Sequence, residues 1–165
     1  MSQADQAILS LYVNNSFGVL AKVAGLFSRR GYNIRSIAAS ETEDPAYSRI
    51  TIVTSGSPGK LEQIYRQVLK LEDVRRATLL PLDDLVQREL VLMKLRAEGT
   101  QEGLRALMDE FGVKIMDTSA DGCVFIEYTG PTGTVDAVIE RARPLGIVEI
   151  SRTGVTVLEQ AGAAE

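Results

Sequence analysis

The chain has 165 residues, of which 45% are hydrophobic and 24% charged, and its net charge is −4. This composition is typical of a globular protein rather than a disordered one, and the acidic balance disfavours nucleic-acid binding, which usually needs a concentrated basic face. Histidine is absent, which excludes a Ser-His-Asp triad, a Cys-His pair and an imidazole metal site. The single cysteine, Cys123, excludes an internal disulfide and fits a reducing compartment. Neither a signal-peptide pattern nor a membrane-spanning apolar run is present, so we expect a cytoplasmic protein.

The first half of the chain predicts a β-α-β-β-α-β module. Ile8–Val13 is a candidate buried strand, and Ser16 is expected to cap the helix that follows it. Apolar residues at helical spacing mark this helix, and Gly31 suits the left-handed conformation that often ends a helix. The remaining elements are predicted as strands at Ile34–Ala39, Ser48–Thr54 and Val74–Leu80, and a helix with Leu61, Ile64, Val68 and Leu69 on one face.

The second half repeats the pattern. Its strands are predicted at Glu89–Leu95, Cys123–Thr129 and Ile147–Arg152, with helices around Leu104–Phe111 and Val135–Ala142. The run Gly112-Val113-Lys114-Ile115 corresponds to Gly31-Tyr32-Asn33-Ile34. We therefore predict an α+β protein of two ferredoxin-like βαββαβ modules, residues 1–82 and 83–165, joined around Pro81–Gln87.

The repeat separates what the fold needs from what only the first module has. Gly31 recurs as Gly112, so both are predicted to serve chain geometry. Asn33 stands where the second module has Lys114, and the segment "NNSFG" that ends at Gly18 has no counterpart there. These positions are therefore the candidates for a function that the fold itself does not require.

An amino-acid pocket would account for these positions. A helix start exposes unpaired N–H groups with a partial positive charge, and Gly18, which has no Cβ, would let a carboxylate approach them. The carboxamides of Asn15 and Asn33 could orient an ammonium or carboxylate group. The flanking side chains that could receive an aliphatic group are Val19, Leu20 and Ile34. The structural alternative stays open: Gly18 as a tolerated glycine, Asn15 as an ordinary cap and Asn33 as a local turn residue.

Three motifs in the first half resemble a known family. They are N-x-x-G-x-L at Asn15–Leu20, "GLFSRRGYNI" at Gly25–Ile34 and D-P-x-x-SR-x-T at Asp44–Thr51. Together they resemble the regulatory (small) subunit of acetolactate synthase, also called acetohydroxyacid synthase, whose N-terminal half is an ACT domain. The resemblance continues through "QRELVLMKL" and "SRTGV" (Ser151–Val155), so it covers nearly the whole chain.

The resemblance implies a noncatalytic protein in branched-chain amino acid biosynthesis. Such a subunit binds a thiamine-diphosphate-dependent large subunit, raises its activity and confers feedback inhibition by a branched-chain amino acid, most often valine. It also implies a homodimer of ACT domains with the effector at the interface. One protomer would contribute Asn15, Gly18, Val19 and Leu20, and the other Asn33 and Ile34. Thiamine diphosphate, Mg and FAD are expected on the large subunit, with no cofactor, metal ligand or catalytic residue on this chain.

The order of elements and the composition can be compared with three other functions. An RNA-recognition module shares the order of elements but needs exposed aromatic residues on its central strands, and "SRITIVT" and "IRSIAAS" provide none. A stand-alone enzyme is difficult to reconcile with the lack of histidine and of a reactive cysteine. An ACT-domain amino-acid sensor that regulates a different enzyme is the nearest alternative.

Overall fold

The structure is a computed structural model, and it describes residues 6–80, 85–96 and 101–159. The strands in these ranges are β1 Gln6–Asn14, β2 Ile34–Glu41, β3 Tyr47–Ser55, β4 Val74–Leu80, β5 Leu85–Leu95, β6 Lys114–Thr118, β7 Val124–Gly130, β8 Ile147–Arg152 and β9 Thr156–Glu159. The α-helices are α1 Val19–Arg29, α2 Pro58–Val68, α3 Gln101–Phe111 and α4 Thr132–Ala142.

The elements form two βαββαβ units, which confirms the predicted fold class. The first sheet has the strand order β2-β3-β1-β4, and the second has the order β6-β7-β5-β8 with β9 paired to β5. The second compact unit comprises Gln87–Val155, while β9 is grouped with the first unit. The predicted boundary between residues 82 and 83 lies outside the described residues. Strand β9 was not predicted from the sequence.

The first sheet buries one face against α1 and α2. Leu9, Leu11 and Val13 alternate along β1, so they point to the same face, where they form one core with Phe27 of α1 and Ile64 of α2. Each of these side chains is at most 1% exposed. Burial of a large apolar side chain contributes about 1.5–3 kcal/mol relative to exposure, so this core fixes both helices on the sheet.

The second unit contains an ion pair between a buried glutamate of its central strand and an arginine of an edge strand. Glu89 of β5 is 4% exposed, and its two carboxylate oxygens accept hydrogen bonds of 2.7 and 2.8 Å from Nε and Nη2 of Arg152 on β8. The remaining Nη1 of Arg152 donates to Asp136 of α4 at 2.8 Å. The hydrogen bonds to Glu89 raise the pKa of Arg152, with a smaller contribution from Asp136. The pair is therefore satisfied internally and fastens β8 to β5.

Gly31 and Gly112 both occupy the left-handed region, as predicted, with φ of 65° and 72°. The reversal after α1 is closed by hydrogen bonds from the Gly31 N–H to Ser28 and from the Tyr32 N–H to Phe27. The two glycines thus serve chain geometry at equivalent positions of the two units. Within the described residues, no helix is long and apolar enough to cross a membrane.

Replacing Gly31 by alanine tests this assignment. A Cβ on Gly31 would meet no atom within 4 Å, so only the strained backbone conformation should change the stability of the variant. We expect Gly31→Ala to lower the free energy of unfolding in urea by about 1–2 kcal/mol. The control is Gly59→Ala in α2, where the added Cβ is equally free of contacts and φ is not positive. It should leave stability unchanged or raise it by about 0.5–1 kcal/mol. Equal effects of the two substitutions would contradict a conformational role for Gly31.

Candidate functional site

The connection from β1 to α1 differs from the sequence expectation in two respects. Ser16 does not cap the helix with its side chain; instead its backbone carbonyl accepts a 3.4 Å hydrogen bond from the Val19 N–H. A cap at Ser16 would have placed Gly18 within the first helical turn, whereas Gly18 precedes the helix and its φ of 83° is left-handed. Gly18 therefore has a conformational reason to be glycine, in addition to any role toward a ligand.

The N-terminus of α1 has no side-chain cap that would keep an anion away. Its first turn also contains no acidic residue. A Cβ at Gly18 would meet no atom within 4 Å, so the space above the residue is free of protein. The backbone N–H groups of a first turn have no intrahelical acceptor and carry the positive end of the helix dipole. This arrangement favours a carboxylate at Gly18.

Asn15 is exposed, and its side chain is already engaged. Its Nδ2 donates to Oε1 of Glu41 at 3.1 Å and to the carbonyl of Pro45 at 2.9 Å. Its backbone N–H donates to the carbonyl of Ala46 at 2.8 Å. Asn15 thus ties the helix start to the end of β2 and to the turn that follows. The carboxylate of Glu41 at this place was missed by the sequence analysis, because Glu41 is 26 residues away and no local pattern links the two.

The two apolar residues at the helix start point in different directions. The Val19 side chain is 4% exposed and belongs to the core, so it offers no surface to a ligand. Leu20 is 48% exposed, and Phe17, next to Gly18, is fully exposed. A ligand at the helix start could therefore contact Leu20 and Phe17 but not the Val19 side chain.

Asn33 and Ile34 lie at the beginning of β2. The Asn33 side chain is exposed, while its carbonyl accepts a 2.8 Å hydrogen bond from Oγ1 of Thr54. Ile34 is half-buried and packs against the core. The carboxamide of Asn33 is thus presented at the surface beside a fixed stretch of backbone.

The structure does not bring the two groups of residues together within one chain. Ile34 is opposite Thr54, which in turn is opposite Ala7 near the start of β1, whereas Asn15 follows the end of β1. The seven residue steps from Ala7 to Asn14 correspond to about 23 Å of extended strand. A single amino acid cannot reach from the helix start to Asn33 of the same copy.

The helix start is anchored by an ion pair. Nζ of Lys22 lies 2.6 Å from Oδ2 of Asp73, in the connection between α2 and β4, and the backbone N–H of Asn14 donates to the Asp73 carbonyl at 2.8 Å. The hydrogen bond from Lys22 lowers the pKa of Asp73, with smaller contributions from the side chains of Asn14 and Ser16. Asp73 therefore fixes both the end of β1 and the beginning of α1.

This ion pair predicts an acid-dependent contribution to stability. Because the pKa of Asp73 is lower in the folded than in the unfolded chain, its contribution is present at neutral pH and is lost as the pH falls through the folded value. The difference in unfolding free energy between wild type and Asp73→Asn should be constant near pH 7 and vanish in strong acid. Urea unfolding from about pH 7 to 2 measures it, with Glu72→Gln as the neighbouring control. A difference that persists at low pH would contradict the role of the charge.

A cavity outside the helix start was also compared with the expected effector residues. A cavity of about 200 Å³ lies in the second unit, lined by Phe111, Gly112, Lys114, Glu127, Tyr128 and Thr129. It contains none of the residues expected to bind an effector. No group of three metal-ligating side chains occurs among the described residues.

Both units match families of the same protein. Residues 9–76 match the AHAS small subunit-like ACT domain, and residues 88–161 match the family described as small subunit of acetolactate synthase. The fold and the open helix start thus define a protein with an N-terminal ACT domain.

Full-length relatives extend the match. The probable acetolactate synthase small subunit of Methanothermobacter thermautotrophicus is 38% identical over 160 residues, which cover 96% of this chain and 95% of the relative. The acetolactate synthase small subunit of Mycolicibacterium smegmatis is 41% identical over 148 residues, which cover 89% of this chain and 86% of the relative. The crystal structure of the acetolactate synthase small subunit from Thermotoga maritima superposes with a TM-score of 0.85 at 38% identity. The superposition covers 96% of this chain and 99% of the Thermotoga chain. The chain belongs to the acetolactate synthase small-subunit family.

Proposed function

We propose that this chain is the noncatalytic, regulatory subunit of a cytoplasmic acetolactate synthase. It binds the catalytic large subunit, raises its activity and confers feedback inhibition by valine in branched-chain amino acid biosynthesis. The similarity to small subunits along both units carries this proposal, because a shared ACT domain alone would not specify the enzyme that is regulated. Thiamine diphosphate, Mg and FAD would be held by the large subunit, and this chain would carry none of them.

We further propose that two copies complete the effector site. Within the described residues β2 is an edge strand that pairs only with β3. An edge strand presents unpaired backbone groups to another chain. If the β2 strands of two copies pair antiparallel, the beginning of one β2 lies beside the end of the other. The end of β2 is joined to the helix start by the bond between Asn15 and Glu41. The partner's Asn33 and Ile34 would then face Gly18 and Leu20, as the separation within one chain requires.

In this arrangement the amino acid is held by groups from both copies. Its carboxylate would accept hydrogen bonds from the backbone N–H groups at Gly18 and the first turn of α1. The partner's Asn33 would hydrogen-bond the same ligand, and Leu20 and the partner's Ile34 would contact its aliphatic side chain. Binding would fix the orientation of the two copies. That change could alter a distant active site through a coupling free energy of about 1–3 kcal/mol.

The function is tested by co-purification with an acetolactate synthase large subunit from the same genome. Acetolactate formation from pyruvate is measured for the large subunit alone, with this chain, and with this chain plus valine, leucine or isoleucine. We expect the chain alone to be inactive, the pair to exceed the large subunit alone, and valine to inhibit only the pair. Failure to bind the large subunit, or binding with no change in activity, would point to a sensor for a different enzyme.

The site is tested by valine calorimetry on matched variants. Gly18→Asn and Gly18→Asp have nearly the same shape, and both residue types tolerate the left-handed conformation, but only aspartate places a negative charge where the carboxylate binds. We expect Gly18→Asp to abolish binding and Gly18→Asn to reduce it less. Asn33→Ala should weaken binding by about 1–2 kcal/mol through lost hydrogen bonds, while Gln63→Ala on the surface of α2 should have no effect. Unchanged affinity in both Gly18→Asp and Asn33→Ala would exclude the proposed pocket.

A further inference from the structure

The residues assigned to the effector site so far contain no charged side chain. They offer backbone N–H groups, a carboxamide and apolar surface, which suit the carboxylate and side chain of an amino acid but leave its ammonium group without a counter-charge. We propose that Glu41 supplies this charge and recognises the α-ammonium of the ligand. The inference rests on the proposed function, and it adds a specificity-determining residue to the same site.

Glu41 is at the right end of the sheet for this role. It is the last residue of β2, and its Oε1 accepts the 3.1 Å hydrogen bond from Nδ2 of Asn15, three residues before Gly18. The carboxylate is exposed, and the ion pairs among the described residues do not include it. Two neighbouring carboxylates are engaged, since Asp73 is paired with Lys22 and Asp44 accepts a 2.9 Å hydrogen bond from the Ala46 N–H. Glu41 is thus held in place by Asn15 without forming an ion pair among the described residues.

The contacts of Asn15 change its assigned role. Both hydrogens of its Nδ2 are used, one on Glu41 and the other on the Pro45 carbonyl. The amide nitrogen therefore has no hydrogen left for a ligand carboxylate. Asn15 acts as a positioning residue that holds the Glu41 carboxylate near the helix start. The positive end of α1 and the negative charge of Glu41 then form two poles that match the two poles of a zwitterionic amino acid.

The substitution Glu41→Gln separates charge from structure. Glutamine keeps the oxygen that accepts the hydrogen bond from Asn15 and removes only the negative charge. The matched control is Glu43→Gln, because Glu43 is an exposed carboxylate two residues away with no hydrogen bond to Asn15. Thermal unfolding of both variants should equal that of the wild type.

Two ligands make the test specific for the ammonium group. Valine and 2-hydroxyisovalerate share the carboxylate and the branched side chain, but the second has a hydroxyl in place of the ammonium. By calorimetry on the full chain, the wild type should bind valine at least about tenfold more tightly than the hydroxy acid. Glu41→Gln should lower the affinity for valine about tenfold and leave the affinity for the hydroxy acid within about twofold of the wild-type value. Glu43→Gln should change neither affinity.

The possible results separate this inference from the proposed function. If Glu41→Gln binds valine as the wild type does, the role of Glu41 is wrong while the regulatory function stands. If Glu41→Gln weakens the binding of both ligands equally, the charge of Glu41 affects the site without acting on the ammonium group, and ammonium recognition is wrong. If the wild type binds no valine, leucine or isoleucine, both the inference and the effector site are overturned. A loss confined to valine supports the assignment.

Discussion

Because α1 carries the chain from one end of the first sheet to the other, the residues before the helix and those after it cannot meet within one copy. β1 and β2 run in the same direction on either side of β3, and the register places Ile34 opposite the end of β3 that faces the start of β1. The helix start and the beginning of β2 are therefore at opposite ends by the geometry of the crossover. Any ligand that uses both must bind between two copies, which makes ligand binding and subunit arrangement parts of one equilibrium.

The glycines of the first unit show how conformation and binding can demand the same residue. Gly31 and Gly18 both have positive φ and open space where a Cβ would stand. Gly31 has an equivalent in Gly112, whereas the loop that contains Gly18 is particular to the first unit. The left-handed Gly18 lies directly before α1, and the helix has no side-chain cap, although the Val19 N–H already donates to the Ser16 carbonyl. The backbone conformation and the proposed binding of a carboxylate therefore favour the same residue at position 18.

Local periodicity was sufficient to predict the fold, and it failed where contacts are distant in sequence. The strands β4 and β8 were predicted with their observed bounds, whereas β1, β2, β3 and β5 were predicted one or more residues too short, because cross-strand pairing extends them. Strand β7 was predicted one residue too early, and no bounds were predicted for β6 or β9. Ser16 has the right residue type for a cap, but the left-handed Gly18 moves the helix start beyond its reach. Val19 was expected to line the pocket, but its side chain completes the core, as its helical spacing with Val23, Leu26 and Phe27 indicates. The bond between Asn15 and Glu41 depends on the folded sheet, so no sequence pattern could reveal it.

The end of β2 is the place where effector binding and subunit pairing would influence each other. Asn15 joins this end to the helix start through Glu41, and the Lys22–Asp73 pair fixes the same helix start to the connection before β4. A ligand that engages the helix start and Glu41 would therefore act on a unit that these contacts connect to β2 and to the segment before β4. Since β2 is the edge strand, any shift of this unit would be passed directly to the strand that a second copy would pair with. The proposed regulation thus requires two copies of the first unit and a ligand that prefers one of their relative orientations.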